Sequence, residues 1–216
     1  MQILMIDDHS SILTGYNSIL SHNNLGHKIV LTTATCCESA FNTINNAVVI
    51  FDLVILDYSL PPFNKQKIYS GNDLIPHIKN KFPDTKIMML TAHFEIIKLW
   101  QMIQKCQPNA LLVKNDFDDI ELLHAYEQVF KDNNYYSKTV INGLKQSLLR
   151  EGHLDSIDQK IITLLNLGLQ ISSIAQEINL SVDAIKKRKS KIKDLLNIDK
   201  GGDEAILREC RLLQLI

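Results

Sequence analysis

Five polar residues stand where short apolar runs of the N-terminal half stop. Asp7 and Asp8 follow Ile3–Ile6, Asp57 follows Leu53–Leu56, Thr91 follows Ile87–Leu90 and Lys114 follows Ala110–Val113. Brought to one place, they would combine three carboxylates, a hydroxyl and an ammonium group. Crowded carboxylates repel one another and need a counter-charge. Hard oxygen ligands of this kind suit Mg²⁺, which bridges carboxylate to phosphate while keeping several waters. Asp57 could then attack phosphorus to give an acyl phosphate. Lys114 would balance charge on the phosphoryl oxygens, and Thr91 would donate a hydrogen bond to one of them. Taken singly, each residue has an ordinary reading as a helix cap, a turn residue or a surface group. The joint pattern, in which four of five runs end in a residue type this chemistry needs, favours the shared site.

The site requires that all these runs end on one edge. The runs Ile3–Ile6, Ile29–Leu31, Leu53–Leu56, Ile87–Leu90 and Ala110–Val113 read as buried parallel strands. Between them Ser11–Leu20, Glu38–Asn45, Asn72–Lys81, Phe94–Gln104 and Asp118–Phe130 have helical spacing. Five strand–helix units in succession predict an α/β fold with a central parallel sheet and helices on both faces. Ligand sites in such sheets form at the carboxyl ends of the strands. Residues 131–152 read as a connector that includes a short helix over Ser137–Leu149 and ends at Gly152. Residues 153–216 carry no strand pattern and predict an all-α domain of four helices, Ser156–Leu167, Ile171–Ile178, Val182–Leu196 and Glu204–Leu213.

A second constellation lies in this C-terminal part. Ile171–Ile178, the turn Asn179-Leu180-Ser181 and Val182–Leu196 read as helix, turn, helix. Ser181 suits an N-cap and Asp183 the first helical turn. Ile185, Ile192, Leu195 and Leu196 form one apolar stripe, while Lys186, Ser190 and Lys193, with Lys187 beside them, fall on a different face. Such a helix suits a DNA major groove, its lysines giving affinity and salt dependence more than base choice. A basic face merely exposed to solvent is the competing interpretation of the charge run alone.

Charge divides along the chain in the same sense. Residues 1–130 carry 9 Lys/Arg against 13 Asp/Glu, whereas residues 153–216 carry 10 against 9, with six of those bases in Lys186–Lys193. The formal net charge of −1 over 216 residues hides this division. Cys36, Cys37, Cys106 and Cys210 show neither zinc spacing nor a disulfide framework, so reduced thiols are expected. The N-terminus lacks the basic and long apolar segments of a signal peptide. The longest apolar stretch, Ala47–Leu56, is broken by Asp52 and falls short of the ~18–20 residues of a membrane span. A soluble, cytoplasmic protein with no membrane partner is expected.

Ile6-Asp7-Asp8-His9-Ser10, Leu56-Asp57-Tyr58-Ser59-Leu60-Pro61, Leu90-Thr91-Ala92 and Val113-Lys114 give residues 1–128 a specific resemblance to the receiver domains of two-component systems. The resemblance implies that Asp57 accepts a phosphoryl group from a sensor histidine kinase. It implies that Asp8 and Asp57 ligate Mg²⁺ directly, Asp7 through water, and that the backbone carbonyl of Ser59 is a further ligand. Two features depart from the pattern. The loop after Asp57 reaches Gly71 about six residues late, through the insertion 62–70, a length change that loops tolerate. The position three before Lys114, usually aromatic, is Leu111. Leu167-Gly168-Leu169, Ile174-Ala175, Leu180-Ser181 and Ala184-Ile185-Lys186-Lys187-Arg188 resemble, less closely, the LuxR/NarL-type helix-turn-helix. There Asp158 and Ser173 stand for glutamates and Arg188 for a histidine. By that likeness the last helix would be a dimer interface, although Ile206 and Leu213 suit a core equally well.

These readings divide the chain into a receiver (1–130), a linker (131–152) and a DNA-binding domain (153–216). They predict a phosphorylation-controlled transcription factor that binds double-stranded DNA, as a homodimer when phosphorylated. Two other classes compete. Haloacid-dehalogenase-type phosphatases use a similar set but carry a second Asp two residues past the nucleophile, where this chain has Ser59. A phosphorylation-independent adaptor or DNA-binding protein is the other, favoured by Leu111 and opposed by the intact acidic set.

Overall fold

The computed structural model describes residues 1–92, 95–150 and 153–216, without the side chains of residues 96, 97 and 150. The chain forms two compact units, Met1–Val140 and Ile141–Ile216. Among the described residues no helix is long and apolar enough to cross a membrane.

In the first unit β1 (Gln2–Ile6), β2 (Val30–Ala34), β3 (Leu53–Asp57), β4 (Lys86–Thr91), β5 (Ala110–Val113) and β6 (Tyr135–Tyr136) form one sheet in the order β2-β1-β3-β4-β5-β6. Every pairing is parallel. The central strands are apolar on both faces because both are covered. Ile3, Met5, Leu53, Ile55, Met88, Leu90 and Leu112 pack with Leu13 and Leu20 of α1 (Ser10–Ser21) and with Leu122, Ala125, Tyr126 and Val129 of α5 (Asp119–Phe130). Alternate residues such as Leu4, Ile6, Val54 and Leu56 are equally buried and point the other way. That side carries α2 (Cys37–Asn46), α3 (Gly71–Lys81) and α4 (Ile96–Cys106). Phe94, predicted to open α4, lies outside the described residues, as do His93 and Gly152.

The sixth strand was not expected. Tyr135–Tyr136 pairs with Ala110 and Leu111 inside the segment read as a connector. Two residues are too few for a periodic signal. The buried Ser137 holds the pairing, its hydroxyl accepting the Val113 N–H at 3.1 Å. The helix predicted over Ser137–Leu149 is α6 (Lys138–Arg150).

The 62–70 insertion is a small folded loop. Phe63 and Ile68 pair antiparallel around a 3-10 turn at Asn64–Gln66. Ile68 is buried, and the Phe63 ring lies 5.8 Å from Phe41 of α2. The loop leads into Gly71, where a Cβ would sit 2.1 Å from the Asp57 carbonyl oxygen. A side chain there would push α3 off the end of β3.

The second unit contains α7 (Ser156–Asn166), α8 (Ile171–Ile178), α9 (Val182–Leu195) and α10 (Asp203–Leu212). Asn179 ends α8 in the left-handed conformation, φ 59°, and Ser181 caps α9 by accepting the Ala184 N–H at 3.1 Å. Ile206 and Leu213 are buried and α10 packs on α7. The core assignment for these two residues therefore holds, and they are not an exposed dimer surface.

Candidate functional site

Sheet register assembles the site. Ile6 pairs with Leu56, so Asp7 leaves β1 level with Asp57 at the end of β3. Asp57 is level with Leu90, and Thr91 with Val113, so Thr91 and Lys114 end their strands beside it. The Lys114 N–H donates to the Thr91 carbonyl at 2.7 Å. The edge lies where the strand order switches, with β1 between β2 and β3.

The Lys114 ammonium is 2.8 Å from Asp7 Oδ2 and 3.0 Å from Asp57 Oδ2. Asp7 and Asp57 are 2% and 3% exposed, and Thr91 is fully buried. One ammonium thus faces two buried carboxylates. Burial pushes the Asp57 carboxyl above its usual range, Asp7 adds to this, and Lys114 and the Ser59 N–H oppose it. Burial pulls the Lys114 ammonium down, but its hydrogen bonds and ion pairs with Asp7 and Asp57 leave it raised overall. Asp57 Oδ1 is buried and has no hydrogen-bond partner.

Asp8 and Ser59 are exposed at the rim. Asp8 Oδ1 lies 2.8 Å from His9 Nδ1, which is also 3.3 Å from Asp7 Oδ1. Asp7, Asp8 and His9 place potential ligand atoms within 4.8 Å of one another. Sequence reasoning assigned no role to His9, whose only signal was its position after the acidic pair. It also missed Tyr16 of α1, whose ring packs at a tilt against Phe117 with centroids 6.1 Å apart. Burial pushes its phenol up to about 12 against the pull of Lys114, with Asp7 and Asp57 adding to the rise. Leu111 is buried with Tyr136 as its lateral neighbour in the added strand. The partnerless Asp57 oxygen and the excess of carboxylate over ammonium suit a hard divalent cation, with the His9 imidazole a nitrogen donor beside the carboxylates.

In the second unit the six bases of α9 divide by partner. Arg188 grips Asp155 and Asp158 at 2.8 and 2.7 Å, and Lys191 reaches Asp158 at 2.8 Å. Lys189 is buried and paired with Asp203. Lys186, Lys187 and Ser190 are exposed. Lys193 is half-buried and donates to the Gly201 carbonyl at 2.5 Å. The predicted face is therefore open at three of its four positions. The Arg188 network ties α9 to α7, and the periodicity of α9 alone did not show it.

Residues 3–127 match the response regulator receiver domain family. The chain belongs to that family. Across 211 residues this response regulator is 25% identical to the oxygen regulatory protein NreC of Staphylococcus epidermidis, covering 92% of each chain. NreC of Staphylococcus haemolyticus is also 25% identical, over 210 residues. The fold is that of the RcsB response regulator of Salmonella typhimurium, with 20% identity, 98% of each chain covered and a TM-score of 0.58. A solved complex of the two-component response regulator RcsB with DNA matches with a TM-score of 0.57, again at 20% identity and 98% coverage of each chain. The response regulator thus resembles these proteins through both its units.

Proposed function

We propose that this response regulator is a transcription factor switched by phosphorylation of Asp57. The observation that carries the reading is the buried Asp57 carboxylate, with one oxygen held by Lys114 and the other without a partner. A carboxylate oxygen of Asp57 attacks the phosphorus of a phosphohistidine on a sensor kinase. The new O–P bond forms as the P–N bond breaks, and the leaving imidazole takes a proton. Lys114 and the Thr91 hydroxyl then face the transferred phosphoryl oxygens. Asp8, Asp57 and the Ser59 carbonyl would hold a Mg²⁺ ion, with Asp7 acting through water, and the ion would offset the negative charge shared by donor and acceptor. Ser59 stands where a turnover phosphatase needs a second acid, so Asp57 acts as a stoichiometric acceptor in the cytoplasm.

The receiver, linker and DNA-binding divisions at 1–130, 131–152 and 153–216 describe how the signal is used. Asp116, two residues after Lys114, accepts the Thr139 N–H at 2.7 Å and its hydroxyl at 2.9 Å. The start of α6 is thereby tied to the loop that carries Lys114. Phosphorylation shifts an existing equilibrium toward a homodimer that sets Lys186, Lys187, Ser190 and Lys193 of each copy on a half-site of double-stranded DNA. NreC, named as a regulatory protein, and RcsB, solved with DNA, support this reading.

The test is acetyl phosphate with Mg²⁺ on wild type and Asp57→Asn, read by intact mass and by association state. A phosphoryl adduct and a shift to dimer are expected on wild type alone. An adduct on the variant would overturn the assignment of Asp57, and an adduct without dimerisation would overturn the switch.

A further inference from the structure

A cavity of about 900 Å³ opens between α3 and α4, with Tyr58, the residue after Asp57, on its wall. Its walls carry Lys67, Lys79, Lys98 and Lys105. The first 130 residues hold only 9 Lys/Arg against 13 Asp/Glu. Four of those nine bases therefore converge on one concavity of an otherwise acidic domain. They come from three segments: Lys67 from the insertion, Lys79 from α3, and Lys98 and Lys105 from α4.

The carboxylate among the lining residues, Asp73, is already engaged, accepting the N–H groups of Tyr69 and Ser70 at 2.8 and 3.0 Å. Lys98 shares Glu95 at 3.1 Å. Lys79 is fixed in the wall by the Thr85 carbonyl at 2.8 Å, and burial followed by the nearby Lys86 pulls its ammonium below the usual range. Asp84 opposes that fall, and the Pro83 carbonyl also accepts from Lys79 at 3.3 Å. Lys67 and Lys105 are exposed, with long stems able to swing inward. A cleft lined by one sign of charge concentrates ions of the other. The volume lies in the range of small-molecule sites, about 300–1,000 Å³.

We propose that this cavity binds a small polyanion of linked phosphate groups, such as an oligophosphate chain. The position makes occupancy felt at Asp57. Tyr58 lines the cavity and follows Asp57 in the chain; its N–H donates to the Leu90 carbonyl and its carbonyl accepts the Gly71 N–H, both at 2.9 Å. By linkage, a ligand whose affinity changes when Asp57 is phosphorylated alters phosphorylation by the same factor.

The experiment uses the full chain without Mg²⁺, titrated with sodium tripolyphosphate at constant ionic strength. Calorimetry and the fluorescence of the single tryptophan, Trp100 on α4, report binding. Saturable binding is expected for wild type and for Asp57→Asn, which separates this site from the phosphoacceptor. Lys67→Ala/Lys105→Ala, at two exposed positions, is expected to bind at least tenfold more weakly with an unchanged circular dichroism spectrum. Gln101→Glu, which adds a carboxylate to the same wall, is expected to weaken binding as well. Wild-type affinity in both cavity variants, no saturable binding at all, or loss of binding in Lys186→Ala/Lys187→Ala instead, overturns the proposal.

Discussion

Each unit buries a carboxylate cluster, and the two clusters are built to opposite standards. In the C-terminal unit Asp158 is fully buried, and both its oxygens are taken, one by Arg188 and the other by Lys191. Asp158 also closes a capping box with Asp155 at the start of α7. In the N-terminal unit one ammonium serves two buried carboxylates, and Asp57 Oδ1 is left with nothing. The satisfied cluster joins α7 to α9 and does structural work. The other leaves one buried carboxylate oxygen without a hydrogen bond, which suits the phosphoacceptor role proposed for it. A buried polar group without a partner calls for an explanation, and ligand binding is one.

The sharpest way to break that contrast is Asp158→Ala. Losing one member of a buried ion pair costs about 3–5 kcal/mol. The lower end, about 3 kcal/mol, is expected because Arg188 and Lys191 both reach water once released. Urea unfolding of the second unit measures it. A loss under about 1 kcal/mol, the size of a surface ion pair, would mean that this cluster is not the structural clamp its geometry implies.

How much of this was legible beforehand depended on distance along the chain. The five strand-end residues could be read because each closes an apolar run, and parallel strands share an edge. The apolar stripe of α9 could be read too, with Ile185, Ile192 and Leu196 all inward. The inward turn of Arg188 and Lys189 could not, since their partners Asp158 and Asp203 are remote in sequence and lie on other helices. Tyr135–Tyr136 was illegible for a different reason: its pairing depends on tertiary contact with β5, not on its own propensity. The insertion gave only its length, and the packing of Phe63 on Phe41 emerged with the fold.

Because the satisfied cluster takes Arg188 and Lys191, and Asp203 takes Lys189, few cations of α9 remain for the proposed DNA contact. Lys186→Ala/Lys187→Ala is expected to make the slope of log affinity against log salt shallower by about 2, near 0.9 per phosphate contact, with little change in stability. Fluorescence anisotropy on duplex DNA across a salt series measures both slope and affinity. An unchanged slope would mean that the exposed face of α9 does not meet the phosphates, and would move the contact elsewhere on this unit.

The smallest expected effect sharpens the comparison from the other side. The raised Asp57 carboxyl means that the fold disfavours its ionised form, through burial first and Asp7 second. Ionisation of Asp57 therefore costs stability at any pH above its folded value. The cost shrinks as pH falls through that value and vanishes below the unfolded one, about 3.9. Asp57→Asn keeps the shape and removes the charge, so it is expected to raise the melting temperature at pH 7 by a few degrees. The gap between variant and wild type should narrow toward about pH 4 as the wild-type carboxyl takes its proton. Mg²⁺ should narrow the same gap at pH 7 by stabilising wild type more than the variant, which has one anionic ligand fewer. A variant less stable than wild type at neutral pH would show that the Lys114 attraction outweighs the crowding, making this cluster as balanced as the one around Asp158.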